Sequence, residues 1–116
     1  MQLAEFLHDH PAVTTVHYPG LESNPRQHQV AKKQMTGGYG CVLSFEMATK
    51  NEAIAMAGRL RMVQRATSLG GTETLIEHRA SIEPPGRVVS PVGLLRVSVG
   101  LEDPNDLLAD FDQALR

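Results

Sequence analysis

Two short segments of the chain carry side chains suited to holding an anion. Ser68-Leu69-Gly70-Gly71 sets a hydroxyl and a run of backbone N–H groups beside two residues free to adopt unusual dihedral angles. Such a loop can cradle an acid group, and it is equally an ordinary Gly-Gly turn between a helix and a strand. Farther along, Arg96 stands inside Leu94-Leu95-Arg96-Val97-Ser98-Val99. A guanidinium is a planar fork that meets a carboxylate with two parallel hydrogen bonds, so an arginine in mid-strand suits fixed recognition of an acid. The competing role is a structural ion pair with a neighbouring Glu such as Glu46, and on spacing alone that plainer role is the more economical.

The other reactive side chains are not arranged for catalysis. Ser68 has no G-x-S-x-G elbow around it and no His and Asp placed to complete a triad. His8 and His10 flank Asp9, but an i, i+2 pair on a helix points to different faces, and His17, His28 and His78 stand apart, so no metal site is expected. Cys41 is the only cysteine, which excludes an internal disulfide and gives no sign of an oxidising compartment. Its position in an alternating segment predicts a buried, inert thiol. Lys32 and Lys33 read as the solvated side of a helix, Lys50 falls inside a capping box, and Met35, Met47, Met56 and Met62 read as core or surface filler.

The elements that must position Ser68 and Arg96 follow from periodicity and punctuation. Leu3, Phe6 and Leu7 recur at helical spacing before Pro11, which predicts a helix over 2–10. That helix starts at Met1 with no Ser, Thr, Asp or Asn ahead of it, which suggests lost upstream chain. Residues 13–18 read as a strand closed by Pro19-Gly20. Asn24, Pro25 and Gln27 have the form of an N-cap, an N1 proline and a capping-box partner, opening a helix to about Met35 that Gly37-Gly38 ends. Strict alternation over 40–47 puts Cys41, Leu43, Phe45 and Met47 on one face of a strand. Thr49 with Glu52 is a second capping box, and Ala53, Ile54, Ala57 and Leu60 mark the buried face of a helix reaching about Val63. Strands are predicted over 74–77 and 94–99, separated by the loop around Pro84-Pro85-Gly86 and Pro91, and Asp103-Pro104 caps a last helix that buries Leu107, Leu108, Phe111 and Leu115. Period two then turns Leu95, Val97 and Val99 toward the helices and Leu94, Arg96 and Ser98 away from them.

This order of elements predicts an α+β fold, with helices on one face of a small, mostly antiparallel sheet. The second sheet face must meet solvent or another domain, and function is to be sought there. The 116 residues suit a single domain with one core, expected to bury roughly two-thirds of the unfolded surface at this length. The net charge of -2 is scattered along the chain, which argues against nucleic acid and anionic membranes as partners. Apolar runs are only a few residues long and residues 1–5 lack the pattern of a signal peptide, so a soluble, cytoplasmic protein is expected.

Taken jointly and in order, several segments resemble the C-terminal domain of the pyridoxal-phosphate-dependent Cys/Met metabolism, or trans-sulfuration, enzymes of fold type I, which include cystathionine γ-synthase, the cystathionine lyases and methionine γ-lyase. They are Val16-His17-Tyr18-Pro19-Gly20-Leu21 with Ser23, Pro25 and His28; Gly37-Gly38-Tyr39-Gly40 leading to Ser44-Phe45-Glu46; Ser68-Leu69-Gly70-Gly71 with Glu73; Ile76-Glu77-His78; and Arg96-Val97-Ser98-Val99-Gly100-Leu101-Glu102-Asp103 with Asp106-Leu107. The resemblance implies that Arg96 grips the α-carboxylate of an amino-acid substrate, with Ser68 and the Leu69 backbone holding the same group.

The resemblance also implies what this chain lacks. In that family the cofactor lysine and the ring-binding and phosphate-binding residues lie in a large domain upstream, and Lys32, Lys33 and Lys50 match none of its motifs. Residues 1–116 are therefore expected to be one substrate-carboxylate-binding domain that binds no pyridoxal phosphate alone, contributes no catalytic residue, and depends on a missing or separate large domain. An exposed docking face in turn predicts a homo-oligomer. Two departures leave the substrate open: Arg79-Ala80-Ser81-Ile82 follows His78 where the family often continues through Pro and a Thr-His pair, and Thr67 stands where cystathionine γ-lyases often carry an acidic residue. The alternatives to a piece of an enzyme are a non-enzymatic binding or interaction module and a structural remnant, each retaining the fold.

Overall fold

A computed structural model describes residues 1–116. The chain forms α1 (Gln2–Asp9), β1 (Val13–His17), α2 (Pro25–Gln34), β2 (Val42–Met47), α3 (Lys50–Arg59), β3 (Gln64–Arg65), β4 (Leu75–His78), α4 (Arg79–Ile82), β5 (Leu94–Ser98) and α5 (Pro104–Leu115). One five-stranded sheet runs in the order β1-β2-β5-β4-β3, antiparallel throughout except for the short β3–β4 pair at its edge. The expected α+β architecture with a mostly antiparallel sheet is what the chain adopts. β3 and α4, both short, carry too few residues to show a period and were not anticipated.

Alternation decides which sheet face is covered. Leu43, Phe45 and Met47 of β2, Ile76 of β4 and Leu95 and Val97 of β5 form the apolar face, and the buried stripes of α1, α3 and α5 pack on it. Phe45 and Phe111 meet edge-on with ring centroids 6.3 Å apart, joining the sheet to α5. On α3 the buried face is Ala53, Met56 and Ala57, with Met56 fully enclosed and Ile54 exposed. The expected stripe through Ile54 is thus rotated by half a turn or less. Met56 fills the position because it follows Ala53 by three residues.

Caps close as the sequence indicates. The Asn24 side chain accepts from Gln27 N–H, Thr49 and Glu52 form the reciprocal capping box, and Asp103 accepts from Asn105 N–H. Two predicted limits move by more than one residue. The strand expected over 40–47 starts at Val42, because Gly40 turns the chain at φ +84° and leaves Cys41 exposed rather than buried on the apolar face. The helix expected to reach Val63 stops at Arg59. There the Asp110 carboxylate of α5 accepts from the backbone N–H groups of Arg61, Met62 and Val63 at 2.8 to 3.2 Å and draws the chain out of helical geometry.

Burial pushes the Asp110 carboxyl up, but the hydrogen bonds from Arg61, Met62, Gln113 and Val63 together outweigh burial and hold it below its ordinary value. The native state then binds fewer protons than the unfolded chain as pH falls past the free carboxylate value, so this stabilisation is present above about pH 4 and fades as pH drops through the depressed native value. Asp110→Asn should cost about 2 kcal/mol at neutral pH and flatten the acid limb of the stability curve. Denaturant unfolding measured from neutral to acid pH checks both, and a wild-type slope in the variant would contradict the assignment.

A second close contact lies just past β5. Leu101 N–H donates to the Thr72 carbonyl at 2.8 Å, and a Cβ at Gly100 would lie 2.6 Å from the Glu73 carbonyl carbon. Only glycine allows that approach. Gly100→Ala is expected to destabilise the chain by about 3 kcal/mol, read by the same unfolding experiment; a change within the error of the measurement would show that the turn yields freely.

Candidate functional site

The register of β5 sets the polar face. Arg96 lies opposite Ser44 of β2 on one side and Glu77 of β4 on the other, while Glu46 lies opposite Leu94. Arg96 therefore points away from the helices, as period two requires, and it does form an ion pair. Its partner is Glu77 and not Glu46: Arg96 Nε lies 2.9 Å from Glu77 Oε1. Glu46 is one diagonal step away and instead meets His17 Nε2 at 2.7 Å. Glu77 is unusual company for a short strand, since all four residues of β4 are buried.

The loop segment lies across this polar face and is fastened at two points. The Thr67 carbonyl accepts from Arg96 Nη2 at 2.6 Å, and Gly70 N–H donates to Ser98 Oγ at 2.8 Å. Between these anchors Ser68 and Leu69 are exposed. Gly70 takes φ +76°, the conformation that lets the chain turn back after the second anchor. Ser68 and Leu69 therefore follow directly on the Thr67 carbonyl that meets Arg96. Thr67, Glu77 and Ser98 stand in the sequence motifs, but the sequence assigns none of them to this place. Ser98, two residues past Arg96 on the same face, carried the one available signal.

A guanidinium has five N–H donors. The Thr67 carbonyl takes one on Nη2 and Glu77 Oε1 lies 2.9 Å from Nε as an ion-pair partner, while the donors of Nη1 have no acceptor inside the protein. The Arg96 side chain keeps 20% of its surface accessible while Glu77 keeps 3%. A planar fork with an unengaged edge beside an exposed hydroxyl and loop amides can bind a carboxylate. A groove of about 310 Å³ between α3, β3 and α4 includes Thr67 and Glu77 in its wall.

The end of the loop is tied to the start of α5. Thr74 donates both its N–H and its hydroxyl to the Glu102 carboxylate at 2.7 Å, and its hydroxyl oxygen accepts from Gly100 N–H at 2.8 Å. Burial raises the Glu102 carboxyl, and the Thr74 bonds more than offset it, leaving a net lowering. On the other flank, His78 Nε2 donates to the Val92 carbonyl at 2.6 Å and Nδ1 is hydrogen-bonded with Ser81 Oγ at 2.6 Å. This histidine fastens α4 to the loop before β5.

Several other motif residues prove structural. His28 Nδ1 bonds the Pro19 carbonyl at 2.8 Å and its ring packs on Tyr39. Tyr18 donates to the Gly40 carbonyl at 2.9 Å. A cavity of about 340 Å³ between α1, β1 and α2 is lined by His8, His17 and His28 among others, but no group of three or more ligating side chains converges on a metal position.

The three lysines, Lys32, Lys33 and Lys50, are all exposed on helices α2 and α3.

No helix is long and apolar enough to cross a membrane. Comparison with known proteins gives a consistent result. The chain is 42% identical over 122 residues to L-methionine gamma-lyase of Fusobacterium nucleatum subsp. polymorphum, covering 98% of this chain and 30% of that protein. It is 44% identical over 117 residues to cystathionine gamma-synthase of Mycobacterium tuberculosis (strain ATCC 25618 / H37Rv), covering 97% of this chain and 30% of that protein. Among solved structures, metB from Corynebacterium glutamicum superposes with a TM-score of 0.90 at 40% identity, over 98% of this chain and 30% of that one. The putative O-acetylhomoserine (thiol)-lyase (metY) of Campylobacter jejuni, whose structure contains N'-pyridoxyl-lysine-5'-monophosphate, superposes equally well at 31% identity, over 98% of this chain and 29% of that one. The chain spans about three tenths of the length of these relatives. The sequence profile of the Cys/Met metabolism PLP-dependent enzymes matches all of residues 1–116, and the chain belongs to that family.

Proposed function

We propose that this chain is the C-terminal domain of a trans-sulfuration enzyme of sulfur amino-acid metabolism, working in the cytoplasm, and that its part is to hold the substrate α-carboxylate. The observation that carries this reading is the unengaged Nη1 edge of Arg96 beside the exposed Ser68-Leu69 span. Arg96 takes the acid group, while the Ser68 hydroxyl and the Leu69 N–H add donors from the loop. Pyridoxal phosphate, when held by a large domain, supplies the electron sink for breaking bonds at the substrate. This chain supplies orientation only, so it is inactive alone and cannot retain the cofactor.

Several large apolar side chains, among them Leu69, Val89 and Leu101, are exposed, and we expect homo-oligomers in solution. Light scattering at high concentration tests this, with a clean monomer as the contrary result.

Titration calorimetry of the 116-residue chain with L-methionine, cystathionine and O-acyl-homoserines tests the carboxylate grip. Binding should weaken at least about tenfold in Arg96→Ala, the loss expected for a charge-assisted hydrogen bond. Heat that is unchanged by the substitution would refute it. Pyridoxal phosphate mixed with the chain should be removed by desalting, and a stoichiometric absorbance band surviving that step would overturn the claim that the chain does not hold the cofactor.

A further inference from the structure

We propose that Glu77 is the positioning residue of the Arg96 clamp, fixing the direction in which the guanidinium presents its free edge and thereby the preference for a planar carboxylate over other anions. The proposal rests on the reading of Arg96 as a carboxylate grip.

Three observations support it. First, Glu77 sits directly across from Arg96 in a fully buried four-residue strand, so its carboxylate is held by the sheet rather than by a flexible loop. Second, the contact is one-point. Glu77 Oε1 lies 2.9 Å from Arg96 Nε as an ion pair and accepts from Arg79 Nη1 at 2.7 Å, while Oε2 is buried with no donor at all. An ion pair serving stability alone gains most from a two-point fork that satisfies both oxygens, and an orphaned carboxylate oxygen is a cost. Here Glu77 fixes one corner of the Arg96 plane and the Thr67 carbonyl fixes another, and Nη1 stays open. Third, Arg79 and Arg96 share one Glu77 oxygen, and the further anion of the cluster, Glu83, acts on Arg79, so no anion of the cluster is committed to Arg96 alone.

The charge and the geometry predict opposite effects on affinity. Removing the Glu77 charge raises the attraction of the site for every anion, yet it frees a long side chain whose orientation must then be fixed on binding. Affinity for one ligand is therefore an ambiguous readout. The ratio of affinities for two monoanions of different shape is not, because charge acts on both alike. Acetate has the plane of a carboxylate, and chloride has none.

The test uses the full chain and the Arg96 Nε–Hε signal in nitrogen-15 spectra, assigned with Arg96→Lys. In the wild type this proton should exchange with water at least tenfold more slowly than that of the exposed Arg116. Titrations with acetate and with chloride should show the Arg96-dependent preference for acetate falling about tenfold in Glu77→Gln, and partly restored in Glu77→Asp. A wild-type preference in Glu77→Gln, with Arg96 still required, overturns the proposal while leaving the clamp intact. Acetate binding that is indifferent to Arg96→Ala removes the clamp itself, and the proposal with it. Should the Glu77 variants fail to fold, the wild-type exchange decides: a proton as labile as that of Arg116 overturns the proposal.

Discussion

The pairing of β5 on both of its edges is the constraint from which the rest of the molecule follows. A strand with neighbours on two sides has its register set twice, by β2 and by β4, and a slip of one residue would exchange its faces. Leu95 and Val97 are committed to the core by their burial, so Arg96 and Ser98 are committed to the other face with no further specification. The row Ser44, Arg96, Glu77 is then a product of hydrogen-bond registry as much as of side-chain attraction. The same registry holds the Thr67–Gly70 segment, since both of its anchors are residues of β5.

Around this strand, acidic side chains fasten backbone that has no ladder partner. Asp110 collects the N–H groups of Arg61, Met62 and Val63 where α3 ends; Glu102 collects Thr74 where β4 begins; Glu83 accepts from Val89 and Ser90 and closes the proline-rich loop. Each replaces the missing main-chain acceptor with a charged one, which makes a stronger bond in a partly enclosed site. The acid sensitivity expected of the fold is thus concentrated at loop ends and not in the core.

Periodicity made the larger elements legible. The alternation of Val42–Met47 and the capping patterns at Asn24, Thr49 and Asp103 are local signals, and local hydrogen bonds fulfil them. What stayed hidden was non-local. Nothing near Ile54 or Leu60 reports that a carboxylate fifty residues away will unwind the end of their helix, and nothing near Arg96 names Glu77 over Glu46, because that choice is made by register across two strands. Cys41 was misplaced by extending an alternation through Gly40, where the positive φ ends it. The resemblance to a family located Ser68 and Arg96 as a pair. The geometry adds the contacts that fasten the Ser68 loop to β5.

The double fastening of the Thr67–Gly70 segment has a thermodynamic consequence. A free loop must be ordered when its ligand arrives, and that loss of freedom is subtracted from affinity. Ser68 and Leu69 hang between two points already fixed by the central strand, so most of their ordering is completed when the chain folds. Under the proposed carboxylate grip, a small acid would meet a surface with little configurational freedom left to lose, and a ligand offering only one carboxylate would be held in a defined orientation.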